Sequence, residues 1–95
     1  MNSSTKINTL ENILTEQAVE TGFNITIYND DVNTFDWVIL SLIEICNHNE
    51  AQAEQCAMFI HFKGKYAVKH GSKNVLQPMK DALCDRGIHA VIEHN

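Results

Sequence analysis

Three consecutive polar side chains, Asn29, Asp30 and Asp31, and a single imidazole, His61, are the groups whose types and spacing best suit chemistry in this sequence. As acid–base catalysts they would need a nucleophile or a polarised water and an oxyanion stabiliser beside them. No Ser or Cys stands in a recognisable nucleophile setting, and neither a Gly-rich phosphate loop nor a His-Glu-x-x-His occurs. Nothing therefore proposes an electrophile for these groups, and no enzyme is expected. Metal chemistry is no better supported. His48, His61, His70, His89 and His94 are scattered, and Cys-x-x-Cys is absent. Cys56 precedes His61 by five residues, one too many for an i, i+4 helical pair. A set of acceptors remains: carboxamide oxygen, carboxylates and an imidazole nitrogen, types that can hold a cation. The plain alternative is a polar turn between a strand and a helix, because Asn and Asp side chains hydrogen-bond nearby backbone. His61 would then be a core histidine satisfied by a backbone carbonyl.

The elements that must position these groups follow from periodicity. Phe23 to Tyr28 alternates Ile25 and Ile27 with Asn24 and Thr26, the pattern of a half-buried strand. Asn33, with Asp36 three residues on, reads as a capping pair for a helix over Thr34–Cys46. Phe35, Val38, Ile39, Leu42, Ile43 and Cys46 share one face of it, whereas Trp37 and Leu40 fall off that stripe. Asn49 with Gln52 caps a second helix, Glu50 to Lys63, which buries Ala53, Cys56, Ala57 and Ile60; Gly64 sits where a C-cap wants positive φ. Lys65 to Lys69 alternates as a strand. Ser72 to Arg86 predicts a third helix with Val75, Leu76, Met79, Ala82 and Leu83 inward. Pro78 lacks an N–H and suits only a first turn, so regular helix is expected to begin near Gln77 or to kink before it. Gly87 ends that helix, and Ile88 to Glu93 is a last strand with Ile88, Ala90 and Ile92 on one face. The expected fold is α+β in the order βααβαβ, a three-stranded antiparallel sheet with three helices packed on one face.

Composition bounds the remainder. The chain has 95 residues, 44% of them hydrophobic, enough for one small core over residues 23–95. Residues 1–22 read as a flexible extension, although Ile7, Leu10, Ile13, Leu14 and Ala18 recur at helical spacing. A net charge of −5 argues against nucleic acid as a partner. Five of the seven basic residues lie between Lys63 and Lys80, a segment suited to an acidic protein surface or simply to solvent. No apolar run approaches the ~20 residues that span a bilayer. The N-terminus shows no secretory apolar region, so no membrane association and a cytoplasmic location are expected. Of Cys46, Cys56 and Cys84, the first two fall on inward stripes and read as small buried apolar residues.

The Asn29-Asp30-Asp31 run, a helix carrying Phe35, Trp37 and Val38, and then the segment from Glu54 through His61 to Gly64-Lys65 together resemble ClpS, over about Phe23 to Glu93. That family's pattern is an Asn-Asp-Asp turn, then Thr-Pro-Met and an aromatic, and later a His followed by Gly-Lys. The resemblance implies a monomeric, cofactor-free adaptor. It would bind N-degrons beginning with Leu, Phe, Tyr or Trp and deliver them to the N-terminal domain of a Clp AAA+ unfoldase of ClpA or ClpC type. A free N-terminus offers an ammonium with three donors and a pKa of about 7.7–8.0. The resemblance gives Asn29 and His61 the hydrogen bonds to it, with Asp30 and Asp31 adding negative potential or holding a bridging water. It assigns the specificity pocket to Asn33, Phe35, Val38, Ala57, Ile60 and Ile88, an apolar and preformed kind of site.

Departures from the pattern carry information. Asn33-Thr34-Phe35 stands where the family often has Thr-Pro-Met, whose Met is the gate against β-branched N-terminal residues. Ala57 stands where Met is common, four residues before the His. The two changes are expected to compensate in volume and reshape the pocket. Ile and Val should stay excluded while the ranking of Leu, Phe, Tyr and Trp shifts by the ~1–3 kcal/mol that a methylene of misfit is worth. Asn74 and Gln77 occupy positions where acidic residues facing the unfoldase are usual. The alternative is a ClpS-like module with a degenerate pocket that only modulates the unfoldase. A structural domain like that at the C-terminus of the ribosomal stalk protein shares the architecture, but lacks a reason for the Asn-Asp-Asp turn with His61.

Overall fold

In the computed structural model the described residues are 22–95; residues 1–21 of the expected extension, with their helix-spaced apolar residues, lie outside them. The elements are β1 (Phe23–Tyr28), α1 (Phe35–Cys46), α2 (Glu50–Lys63), β2 (Lys65–Gly71), α3 (Lys73–Asp85) and β3 (Ala90–His94), the βααβαβ order expected. β1 lies between β2 and β3 and is antiparallel to both. Being central, it buries Ile25 and Ile27 completely beneath the helices. α2 packs on β2, α3 spans all three strands, and α1 lies mainly against the other two helices. Ile25, Ile27, Leu42, Ile60, Leu76 and Leu83 form the centre of the core.

Register decides where a site can form. Tyr28 pairs with Lys65, and Ile27 with Ala90, so the end of β1 meets the beginnings of β2 and β3. The Asn29 turn, the last turn of α2 and the α3–β3 connection are thereby gathered at one end of the sheet. The Tyr28 N–H to His89 carbonyl bond (2.9 Å) and the Asn29 N–H to Gly64 carbonyl bond (2.8 Å) close that end.

Helix boundaries mostly follow local chemistry. Asn49 and Gln52 form the reciprocal capping box of α2, and Gly64 closes it at φ 87°. Three details differ from the sequence expectation. The N-cap of α1 is Thr34, whose hydroxyl accepts from the Trp37 N–H at 3.1 Å; Asn33 and Asp36 are not a capping pair. Asn is the better capping residue in general, so tertiary use overrides local preference here: the Asn33 amide is engaged with Asp30 and Gly87. α3 begins at Lys73, capped by Ser72, with Pro78 inside it rather than at its start. The proline removes the helical bond to the Asn74 carbonyl; Asn74 and Pro78 are both exposed, so that acceptor is open to solvent. Fully buried Leu76 and Leu83 anchor the helix on either side. Val75, expected inward, is 54% exposed, because the buried stripe centres on Leu76 and Leu83 one residue away.

Candidate functional site

The turn after β1 is organised by Asp30. Its Oδ1 accepts from the Val32 N–H at 2.8 Å and the Asn33 N–H at 2.7 Å, and its Oδ2 accepts from Asn33 Nδ2 at 2.8 Å. These bonds, those from Asn33 foremost, hold the Asp30 carboxyl below the usual carboxylate range, against the opposing effect of burial. The carboxylate is thus committed to the backbone of its own turn. Asn33 Nδ2 also donates to the Gly87 carbonyl at 2.9 Å, tying the turn to the α3–β3 connection.

Between this turn and the two helices lies an open cavity of about 330 Å³. The turn lines it with Asn29, Asp30, Asp31, Asn33 and Thr34, and His61 joins them from the last turn of α2. Phe35 and Val38 from α1, with Ala57 and Ile60 from α2, supply the apolar lining. Ala57 and Ile60 are buried and Val38 is half-buried, so this lining is continuous with the core. Phe35 is 43% exposed: it borders the cavity without filling it. Ile88 does not line this cavity. It borders a second, much smaller one of about 20 Å³ that shares Asn29, Asp30, Asn33, Val38 and Ile60 with the first. Ile88 therefore backs the wall formed by those residues.

His61 is exposed, its ring edge-on to Phe62 with centroids 5.2 Å apart. The histidine satisfied by a backbone carbonyl is instead the half-buried His48, whose Nε2 lies 2.8 Å from the Val68 carbonyl. Burial pushes the His48 pKa down, against the opposing pull of the Val68 carbonyl. Asp30 builds the turn, while Asn29, Asp31 and His61 bring a carboxamide, a carboxylate and an imidazole to the cavity with no side-chain partner among the described residues. Acceptors of this kind beside an apolar recess suit a ligand that joins a cation to a hydrophobic group. Among the described residues, no three His, Cys, Asp or Glu side chains are grouped to hold a metal ion, and no helix is long and apolar enough to cross a membrane.

Sequence reasoning does not find Thr34, which both caps α1 and lines the cavity. It also misses Trp37 and Arg86: the indole Nε1 donates to the Arg86 carbonyl at 3.2 Å, beside the Asn33–Gly87 bond. The one available signal is Trp37 itself, a large apolar residue off the buried stripe of its helix.

The profile of the ClpS family, described as the ATP-dependent Clp protease adaptor protein ClpS, matches residues 18–90. No curated protein matches the chain significantly. Among solved structures, that of Agrobacterium tumefaciens ClpS2 bound to L-phenylalaninamide shares the fold, with a TM-score of 0.73 at 16% sequence identity; the match covers 77% of this chain and 95% of that one.

Proposed function

The chain belongs to the ClpS family of ATP-dependent Clp protease adaptor proteins, and we propose that it binds proteins through a free N-terminal residue with a bulky apolar side chain and delivers them to a Clp AAA+ unfoldase. The observation that carries this reading is the single cavity in which Asn29, Asp31 and His61 stand beside Val38, Ala57 and Ile60. A protein N-terminus joins an ammonium to a side chain one carbon away, so its receptor needs acceptors within a few ångströms of an apolar recess. In this division of labour Asn29 and His61 accept from the α-amino group and Asp31 supplies negative potential at the mouth. Asp30 acts through the turn it holds together. The recess receives Leu, Phe, Tyr or Trp, with Phe35 at its border, Asn33 in its lining and Ile88 behind it.

Two further points support the ligand class. The cavity lies near the small end of the roughly 300–1,000 Å³ range of ligand pockets, a size suited to one residue rather than a long segment. The Agrobacterium relative is bound to L-phenylalaninamide, which carries a free α-amino group, an apolar side chain and an amide where a peptide would continue. An open cavity bordered by Phe35, rather than plugged by it, also weighs against a degenerate pocket. The partner is the N-terminal domain of a ClpA- or ClpC-type unfoldase, placing the adaptor in the cytoplasm with that machine and giving it no catalytic role of its own. The test is degradation of a fluorescent reporter beginning with Phe by such an unfoldase and its peptidase. Adding the protein should accelerate loss of that reporter and leave one beginning with Ser untouched; equal rates for the two would overturn the reading.

A further inference from the structure

One stripe of α1, continued from the turn before it, is devoted to the α3–β3 connection. Asn33, Trp37, Ser41 and Glu44 recur at spacings of four, four and three, so they share a helical face. Each touches one of two adjacent residues, Gly87 or Arg86. Asn33 Nδ2 donates to the Gly87 carbonyl at 2.9 Å, and Trp37 Nε1 donates to the Arg86 carbonyl at 3.2 Å. The Arg86 guanidinium lies 5.3 Å from the Trp37 ring centroid, and its Nη1 reaches Ser41 Oγ at 3.2 Å and Glu44 Oε1 at 2.8 Å. Ser41 is fully buried, so this is an inserted contact and not only a surface ion pair.

The segment so gripped is stiff. The Gly87 N–H donates to the Cys84 carbonyl and the Ile88 N–H to the Leu83 carbonyl, with Gly87 at φ 82°: a Schellman closure of α3. A rigid closure held at two adjacent carbonyls transmits its position to the next residue, which is Ile88. Ile88 in turn backs the wall that Asn33, Val38 and Ile60 present to the main cavity. Phe35 and Val38 sit on the same helix as the stripe but line the cavity, so the grip also fixes how far they stand from Ala57 and Ile60 on α2.

We propose that Trp37 and Arg86, neither of which lines the cavity, are positioning residues that clamp α1 to the α3–β3 connection and thereby set which first side chain the recess prefers. The inference rests on the receptor function proposed above and deepens it. Its physical core is that the clamp acts on shape alone: the acceptors Asn29 and His61 hang from other attachments, the Gly64 carbonyl and α2. Loosening the clamp changes the ranking of side chains and leaves the demand for a free α-amino group in place.

The experiment uses the full chain, Trp37→Phe and Arg86→Met, with fluorescent peptides beginning with Leu, Trp or acetylated Leu. Trp37→Phe keeps an aromatic ring and deletes only the donor, and it decides the matter if Arg86→Met fails to fold. The expected result is a change of about threefold or more in the Trp-to-Leu affinity ratio, with acetyl-Leu still excluded. Amide exchange at Val32 and Asn33 in the ligand-free protein should quicken by about threefold or more, because their acceptor Asp30 is steadied by the same Asn33 amide that holds Gly87. An unchanged ratio in a Trp37→Phe protein that still rejects acetyl-Leu overturns the clamp alone. A wild-type protein that binds none of the peptides overturns the receptor reading, and the specificity role with it, whatever the exchange rates do.

Discussion

Replacing Asp30 tests whether the turn depends on one carboxylate as its hydrogen bonds imply. Asp30→Ala removes three bonds, at 2.8, 2.7 and 2.8 Å, from the Val32 N–H, the Asn33 N–H and Asn33 Nδ2. Buried bonds to a charged group contribute about 1.5–3 kcal/mol each, but water replaces much of what is lost at a half-exposed turn. Counting each near the lower end of the neutral range, ~0.5 kcal/mol, gives about 1–2 kcal/mol for the three together. Asp30→Asn keeps an oxygen for the two backbone donors and sets its own amide against that of Asn33, so about 0.5–1 kcal/mol is expected. Urea unfolding at constant m measures both losses; for a domain of this size 1 kcal/mol also appears as roughly 4–8 °C in Tm. The pH dependence has a definite sign. The folded-state pKa of Asp30 is lowered, so its contribution is complete above the ordinary carboxylate range and is lost as pH falls through the folded value. The gap between wild type and Asp30→Ala should therefore narrow progressively below about pH 4. A loss under ~0.3 kcal/mol at neutral pH, or a gap that does not narrow in acid, would refute this view of the turn.

Other perturbations address the remaining parts. Phe35→Ala should open the cavity border and raise the affinity of peptides beginning with Ile relative to Leu by about tenfold, measured by fluorescence anisotropy; an unchanged ratio removes Phe35 as a gate. Pro78→Ala restores a bond in the middle of α3 and should stabilise by about 1–3 kcal/mol in urea, after the ~0.4–1 kcal/mol that proline contributes through the unfolded chain is subtracted. Ile88→Ala empties a 3%-exposed core position and should cost about 2–5 kcal/mol in the same assay. Burial pushes the Cys46 thiol up to about 11 and raises that of Cys56, so iodoacetamide at pH 8 should label exposed Cys84 first by mass spectrometry.

What was legible in the sequence was what repeats locally. Alternation in Phe23–Tyr28, the 3.6-residue stripe of α2 and the Asn49–Gln52 and Gly64 caps are short-range patterns, and each element lies where its pattern predicts. The ten residues named for the site gather at one end of the sheet, nine around the main cavity and Ile88 behind it. Illegible features depend on partners far along the chain. Asn33 looks like a cap until Gly87, 54 residues away, claims its amide. Trp37 looks like a stray surface residue until Arg86 lies over its ring. Pro78 looks like a helix start because a propensity rule cannot weigh one lost bond against the burial of Leu76 and Leu83.

The most direct test of N-terminal recognition is fluorescence anisotropy of the purified protein against labelled peptides beginning with Leu, Phe, Ile and acetylated Leu. Leu and Phe peptides should bind, acetyl-Leu and Ile peptides should not, and His61→Ala should abolish the binding. Equal binding of Leu and acetyl-Leu peptides, or binding indifferent to His61→Ala, would contradict an α-amino site built from Asn29, Asp31 and His61.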